Sequence, residues 1–301
     1  MTATATTTAA VPATATTPDA GADARWDPAP GVAVRGTVLL LPGRGEHPGL
    51  YARFGRRLAF DGYRLLVPAD HSTAPTALSA LFARARSGQP DGGPVVLAGS
   101  DTGALLALAL AGELGPDGLL LAGLPDGDRP EPVADEPVAD EPVADEPVAD
   151  EPVADEPVAD ELSARTACPV HRGLLATDPG FRPGALFDPV PAALAGAAAA
   201  ARPAVPVLAF HGLADPVAPV GALRALAGRL PSVEAVAVAD GRHDAFNDAA
   251  HRSVAARTVL WLERLRAGLD RRPVPPPPLL VPLDSGSDSG PGSGSGSGSG
   301  G

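Results

Sequence analysis

Along the middle of the chain, short apolar runs alternate with longer stretches in which apolar positions recur every three or four residues. The runs at 36–41, 63–68, 95–98, 118–122, 205–210 and 233–238 are rich in Val, Leu and Ala and bounded by Gly, Pro or Asp, which predicts strands buried on both faces. Between them the spacing predicts helices at 51–60, 76–86, 102–113, 220–229 and 248–269. In the last, Val254, Thr258, Trp261, Leu262, Leu265 and Leu269 form one core-facing stripe. Strand and helix in alternation predict an α/β domain over 31–270, a mainly parallel central sheet with helices on both faces. The alternation breaks at about 125–203, which reads as an insertion into that domain.

Three stretches have compositions that bury nothing. Residues 1–30 are rich in Ala, Thr and Pro; residues 131–160 are six tandem copies of Glu-Pro-Val-Ala-Asp; and residues 271–301 pass through Pro275 to Pro278 into Ser-Gly repeats. All three are expected to be disordered. A five-residue period with a proline in every copy is too short for a solenoid unit.

The repeat also changes the meaning of the charge. Two acids in each of six copies account for 12 negatives, so the formal charge of -13 leaves only -1 on the rest of the chain. A nearly neutral domain does not predict a nucleic-acid partner. Cys168 is the only cysteine, so no internal disulfide forms, and without Cys/His pairs at ligand spacing neither a metal nor another cofactor is expected. The N-terminus lacks the basic start and apolar block of a secretory signal, and no apolar run reaches membrane-spanning length. The expected location is the cytoplasm, and the sequence carries no signal for an oligomeric state.

The chemistry concentrates in the segment 94–106, which reads as strand, sharp turn and helix, with the turn spelled Gly99-Ser100-Asp101-Thr102-Gly103. Small residues at both ends of such a turn let strand and helix approach closely, while the central side chain stands exposed at the tip. An aspartate that merely caps the following helix fits the same five residues. Two further segments weigh against that. His211-Gly212-Leu213-Ala214-Asp215-Pro216 follows one predicted strand, and Asp240-Gly241-Arg242-His243-Asp244 follows the next, just before the final helix.

A nucleophile elbow, then an acid, then a histidine, each after its own strand, resembles the α/β-hydrolase superfamily, with aspartate where most members carry serine. Leu41-Pro42-Gly43-Arg44-Gly45-Glu46-His47 is similar to the His-Gly-x-Gly-Glu-His loop of monoacylglycerol-lipase and lysophospholipase-like hydrolases, the serine-aminopeptidase type. Gly49 and Tyr51 continue the match, and Pro42 replaces the first histidine.

This resemblance implies an eight-strand-type sheet truncated at its first strands, and a lid at about 125–203 over a site for a small-molecule substrate. It implies a catalytic triad of Asp101, Asp215 and His243, and an oxyanion hole built from the backbone N–H groups of Arg44 and Thr102. Glu46 and His47 read as loop braces. Within the lid, Phe181 and Phe187 are candidates for lining the substrate entrance, although packing of the lid itself is the commoner role for such residues.

One rival pattern lies in the same place. Gly43, Gly45 and Gly49 after a strand, with Asp70 after the next, loosely resemble a dinucleotide-binding fingerprint. The spacing is one residue too long, Glu46 would face pyrophosphate with the wrong charge, and Asp215 and His243 would be left unexplained.

An aspartate nucleophile constrains the reaction. Attack on an acyl carbon would give a reactive mixed anhydride, whereas displacement at saturated carbon gives an ester that water can cleave. Haloalkane dehalogenases and epoxide hydrolases of this fold work through such an ester. Their specialised parts are missing here: Thr102 stands where a halide-binding Trp would follow the nucleophile, and the two tyrosines, Tyr51 and Tyr63, both lie outside the lid. A lipase-like esterase with a non-standard nucleophile, or a binding scaffold that has lost serine chemistry, are the alternatives.

Overall fold

The computed structural model describes residues 22–69, 75–89, 92–125 and 156–268. Residues 1–21, five of the six repeat copies, Asp70 and residues 269–301 lie outside that set, so the disorder expected there and the place of Asp70 do as well.

Among the described residues seven strands form one sheet: β1 (Ala24–Trp26), β2 (Gly36–Leu41), β3 (Tyr63–Val67), β4 (Val95–Ser100), β5 (Gly118–Ala122), β6 (Val207–Gly212) and β7 (Val233–Val238), in the order β1-β3-β2-β4-β5-β6-β7. Only β1 runs antiparallel, against β3; the other pairings are parallel. Every residue of β2, β4, β5 and β6 is buried, which is why those runs are apolar at successive rather than alternate positions.

Alternate side chains of these strands feed two separate cores. Val38 and Leu40 join Phe54 and Leu58 of α1 (Ala52–Phe60) with Trp261, Leu262 and Leu265 of the last helix on one face. Leu39 and Leu41 join Leu78 and Phe82 of α2 (Pro75–Ser87) and Leu105 and Leu108 of α3 (Thr102–Leu114) on the other. The sheet is therefore a rigid plate, and the loops at the carboxyl ends of its strands are held from both sides.

The insertion between β5 and β6 contributes α4 (Glu156–Arg165), α5 (Pro169–Thr177) and α6 (Ala192–Ala200). After β6 come α7 (Gly221–Arg229) and, after β7, α8 (His251–Arg266). Among the described residues no helix is long and apolar enough to cross a membrane.

Two boundaries read from composition need correction. The domain begins before residue 31, because β1 at Ala24–Trp26 pairs with β3 and Trp26 is buried. Three residues are too few to show a period, and what anchors them is a packing fit: a Cβ on Gly55 would lie 2.4 Å from a ring atom of Trp26, so the indole lies directly on the backbone of α1. The last repeat copy is not part of a uniform coil either, since α4 starts at Glu156 and runs through it. Its proline falls in the first helical turn, where a missing N–H costs nothing, and the buried residues Glu161 and Arg165 that follow fix the helix in place.

Candidate active site

At the end of β4 the chain reverses into α3 within one residue. Asp101 has φ 51° and ψ −125°, a positive φ that a residue with a side chain adopts only under constraint. The constraint is close backbone packing: a Cβ on Gly99 would come 2.1 Å from the carbonyl oxygen of Gly103, and one on Gly103 would come 2.2 Å from that of Leu41. The Asp101 N–H donates to the Ala122 carbonyl at 3.0 Å, and its own carbonyl accepts from Ala104 N–H at 2.9 Å to begin the helix. Its side chain makes no capping bond to α3, so the helix-cap alternative does not hold. Ser100, one residue earlier, is buried and hydrogen-bonded to Tyr51.

The three residues of the expected triad meet. His243 Nδ1 donates to Asp215 Oδ2 at 2.8 Å, and its Nε2 lies 3.3 Å from Asp101 Oδ1. Asp215 sits in the loop after β6, where its Oδ1 accepts the N–H groups of Val217 at 2.8 Å and Ala218 at 3.1 Å, a local turn that fixes the carboxylate. His243 follows β7, and its N–H donates at 3.2 Å to the carbonyl of Ala164 in α4. The neighbouring Asp244 N–H donates to the Arg165 carbonyl at 2.9 Å, so the insertion braces the histidine loop.

Arg44 is present at the site twice over. Its backbone N–H donates to Asp101 Oδ2 at 2.9 Å, as an oxyanion-hole donor would. Its side chain, whose reach no local pattern indicates, grips the same carboxylate as a fork, Nε to Oδ2 at 2.8 Å and Nη2 to Oδ1 at 2.7 Å. The remaining guanidinium nitrogen donates to the Asp188 carbonyl of the insertion. Thr102 is the first residue of α3, directly after Asp101, with its side chain partly buried.

Behind the Arg44 turn Glu46 acts as the loop brace expected of it, within a buried ionic cluster whose other members, Glu161 and Arg165, sequence reading missed. Glu46 Oε2 accepts from the N–H of Gly43 at 3.0 Å and from the Tyr51 hydroxyl. Arg165 reaches Glu46 Oε1 at 3.1 Å, Glu161 Oε1 at 2.7 Å and the carbonyl of Arg44 at 2.6 Å. For those two the sequence carried only a glutamate and an arginine four residues apart, a spacing common on any helix. His47 braces the next turn, accepting the Gly49 N–H at 3.2 Å, with its Nε2 3.0 Å from Asp178.

The charges explain the titration behaviour. Burial pushes the Asp101 carboxyl up, but hydrogen bonds from His243 and Arg44 outweigh it and hold the group well below the usual carboxylate range. Burial likewise opposes charge on His243, yet its bonds to Asp101 and Asp215 raise it from 6.5 to about 9. The resting site is therefore two carboxylates, an imidazolium and a guanidinium.

A histidine raised on folding stabilises the fold fully below its unfolded value and loses that contribution as pH rises through its folded value. Stability is expected to fall between pH 6.5 and about 9 by on the order of 3 kcal/mol. Thermal melts across that range, compared with His243→Gln, check it: the wild-type slope disappears in the variant.

Phe181 is buried in the insertion with its ring centroid 5.0 Å from the Arg165 guanidinium, whereas Phe187 is 54% exposed. Neither contacts the triad through a hydrogen bond or ring pairing among the described residues. No group of three or more His, Cys, Asp or Glu side chains among those residues is placed to hold a metal ion.

No protein-family model matches the chain, and no curated protein matches it in sequence. Solved structures do match its fold. A soluble variant of monoglyceride lipase from Saccharomyces cerevisiae superposes with a TM-score of 0.60 at 17% identity, covering 81% of this chain and 91% of the lipase. A Paleococcus ferrophilus monoacylglycerol lipase gives 0.55 at 17% identity over 81% of this chain and 98% of its own. A lipase in its open form gives 0.56 at 19% identity over 83% and 97%. The chain has the α/β-hydrolase fold.

Proposed function

We propose that the protein is a hydrolase of a small organic substrate that acts through a covalent ester on Asp101. One observation carries this reading: the Arg44 N–H donates to Oδ2 of Asp101 at 2.9 Å while His243 Nε2 faces Oδ1 at 3.3 Å. In a serine hydrolase the oxyanion hole receives an oxygen of the substrate. Here it receives an oxygen of the nucleophile, the atom on which negative charge develops when water attacks an ester of Asp101 at Cγ.

The steps follow from the charges. A lone pair of Asp101 Oδ1 attacks a saturated carbon, a C–O bond forms, and the leaving group departs with the electron pair of the broken bond. Asp101 is then neutral. His243 has lost the anion that helped hold its proton, so the proton goes to solvent and the imidazole becomes a base. A water proton passes to Nε2 as the water oxygen bonds to Cγ, and the N–H groups of Arg44 and Thr102 hold the oxyanion. Collapse breaks the bond from Cγ to the alkylated oxygen, and the alcohol leaves with the proton from His243. Asp215 keeps the imidazole oriented throughout.

This reading expects turnover on alkyl halides or epoxides and little on short-chain esters, because ester attack would have to pass through an anhydride. A substrate panel followed by product release checks it. Faster hydrolysis of esters than of every displacement substrate would contradict it.

A second reading, a binding scaffold without turnover, is favoured by the Arg44 fork, which engages the carboxylate that has to react. The insertion helices, whose α4 carbonyls hold the His243 loop, are proposed to serve as the lid in either case.

A further inference from the structure

We propose that the substrate carries a carboxylate of its own, close to the reacting carbon, which takes the Arg44 guanidinium off Asp101. Arg44 is then both the lock on the nucleophile and the determinant of substrate class. This rests on the covalent role of Asp101 argued above.

A carboxylate offers about four lone-pair sites. At Asp101 all four are engaged: Oδ1 faces Arg44 Nη2 at 2.7 Å and His243 Nε2 at 3.3 Å, and Oδ2 accepts Arg44 N at 2.9 Å and Arg44 Nε at 2.8 Å. Attack on carbon needs one of them free. The imidazole is tied to Asp215, and the Arg44 backbone is tied by Arg165, which donates to the Arg44 carbonyl at 2.6 Å. The Arg44 guanidinium alone sits on a rotatable stem.

Moving it away has a cost that decides the substrate. The Arg44 side chain is 12% exposed and the Asp101 side chain 1%, so a guanidinium withdrawn from this pair is a poorly solvated cation without an anion. Among the described residues its other hydrogen bond is to the Asp188 carbonyl, while the Asp188 carboxylate lies 3.8 Å from Arg182 in solvent. A neutral substrate offers nothing in return. A substrate carboxylate re-forms the bidentate pair with the same planar fork. Because that fork spans both oxygens of Asp101, and the reacting carbon must approach Oδ1 to about 3–3.5 Å, the anion has to lie within a few bonds of that carbon. This favours short substituted acids over long neutral chains.

Chloroacetate and chloroacetamide test the idea, being matched in size and leaving group and different in charge. Each would alkylate Asp101 Oδ1 with loss of chloride, and mass analysis of the Asp101 peptide together with chloride release reads the step. Wild-type protein is expected to prefer chloroacetate by on the order of 10²-fold, and acetate, not acetamide, should protect Asp101. In Arg44→Gln, which keeps the backbone donor, chloroacetamide should gain about tenfold and the preference should vanish. Should Arg44→Gln not fold, the acetate protection in wild-type protein reads the same lock. Equal rates for both probes in wild-type protein, with label on Asp101, would overturn the lock and leave covalent catalysis standing. Absence of both chloride release and label on Asp101 with either probe in either protein would overturn both.

Discussion

Asp101→Asn is expected to lower turnover by on the order of 10⁴-fold or more, because an amide oxygen in this position has neither the charge nor the basicity to displace a leaving group. The same substitution should destabilise the fold by about 3–5 kcal/mol, since it leaves a buried guanidinium and imidazole facing each other without their shared anion. His243 should then titrate below its present value near 9. Steady-state kinetics and a histidine NMR titration on the same variant separate the two roles. A drop in stability without any activity to lose would mark Asp101 as the centre of a structural ion cluster and favour the scaffold reading.

Glu161→Ala is expected to lower the melting temperature by roughly 10 °C. Glu161 is fully buried and accepts Arg165 through two nitrogens, at 3.0 and 2.7 Å, as well as the N–H groups of Gly184 and Leu186. Removing it takes one of two carboxylates from the buried Arg165 and strands two backbone donors, a loss of about 3–5 kcal/mol, and a chain of this size shifts by roughly 2–4 °C per kcal/mol. The exposed pair Arg25 and Asp27, at 55% and 39% side-chain exposure, is the control: Asp27→Ala should move stability by no more than about 1 kcal/mol. Calorimetric melts compare them, and similar shifts for both would mean that the brace behind the Arg44 turn holds little.

Why some of this was legible in the sequence and some not has a physical basis. Strands β2, β4, β5 and β6 announce themselves because their residues are mostly apolar at adjacent positions, and such runs have few other uses in a globular chain, whereas β3 and β7 carry Arg64 and Glu234 and are only partly buried. The triad candidates are readable because each sits in a loop directly after a strand, and backbone geometry restricts which small residues flank the turn. Strand β1 was hidden because its evidence is one indole resting on Gly55, a long-range fit without a local pattern. The start of α4 was hidden because its first residues repeat a motif whose other copies suggest no burial, while of its anchors Arg165 pairs with Glu46, more than a hundred residues away in sequence, and Glu161 accepts the N–H groups of Gly184 and Leu186. Arg44 was half legible: loop similarity points to its N–H, but nothing local to residues 41–47 encodes that its side chain reaches Asp101.

Covalent catalysis at Asp101 makes and breaks a bond to one carboxylate, and isotope transfer reads that bond directly. A single turnover in oxygen-18 water, with protein in excess over a substrate from the displacement panel, is followed by mass analysis of the peptide containing Asp101. Attack of water on the ester at Cγ predicts one heavy oxygen in that carboxylate after the first turnover. Heavy oxygen only in the product, with the Asp101 peptide unshifted, would contradict the account and leave water activated directly, or Ser100, as the source of the chemistry.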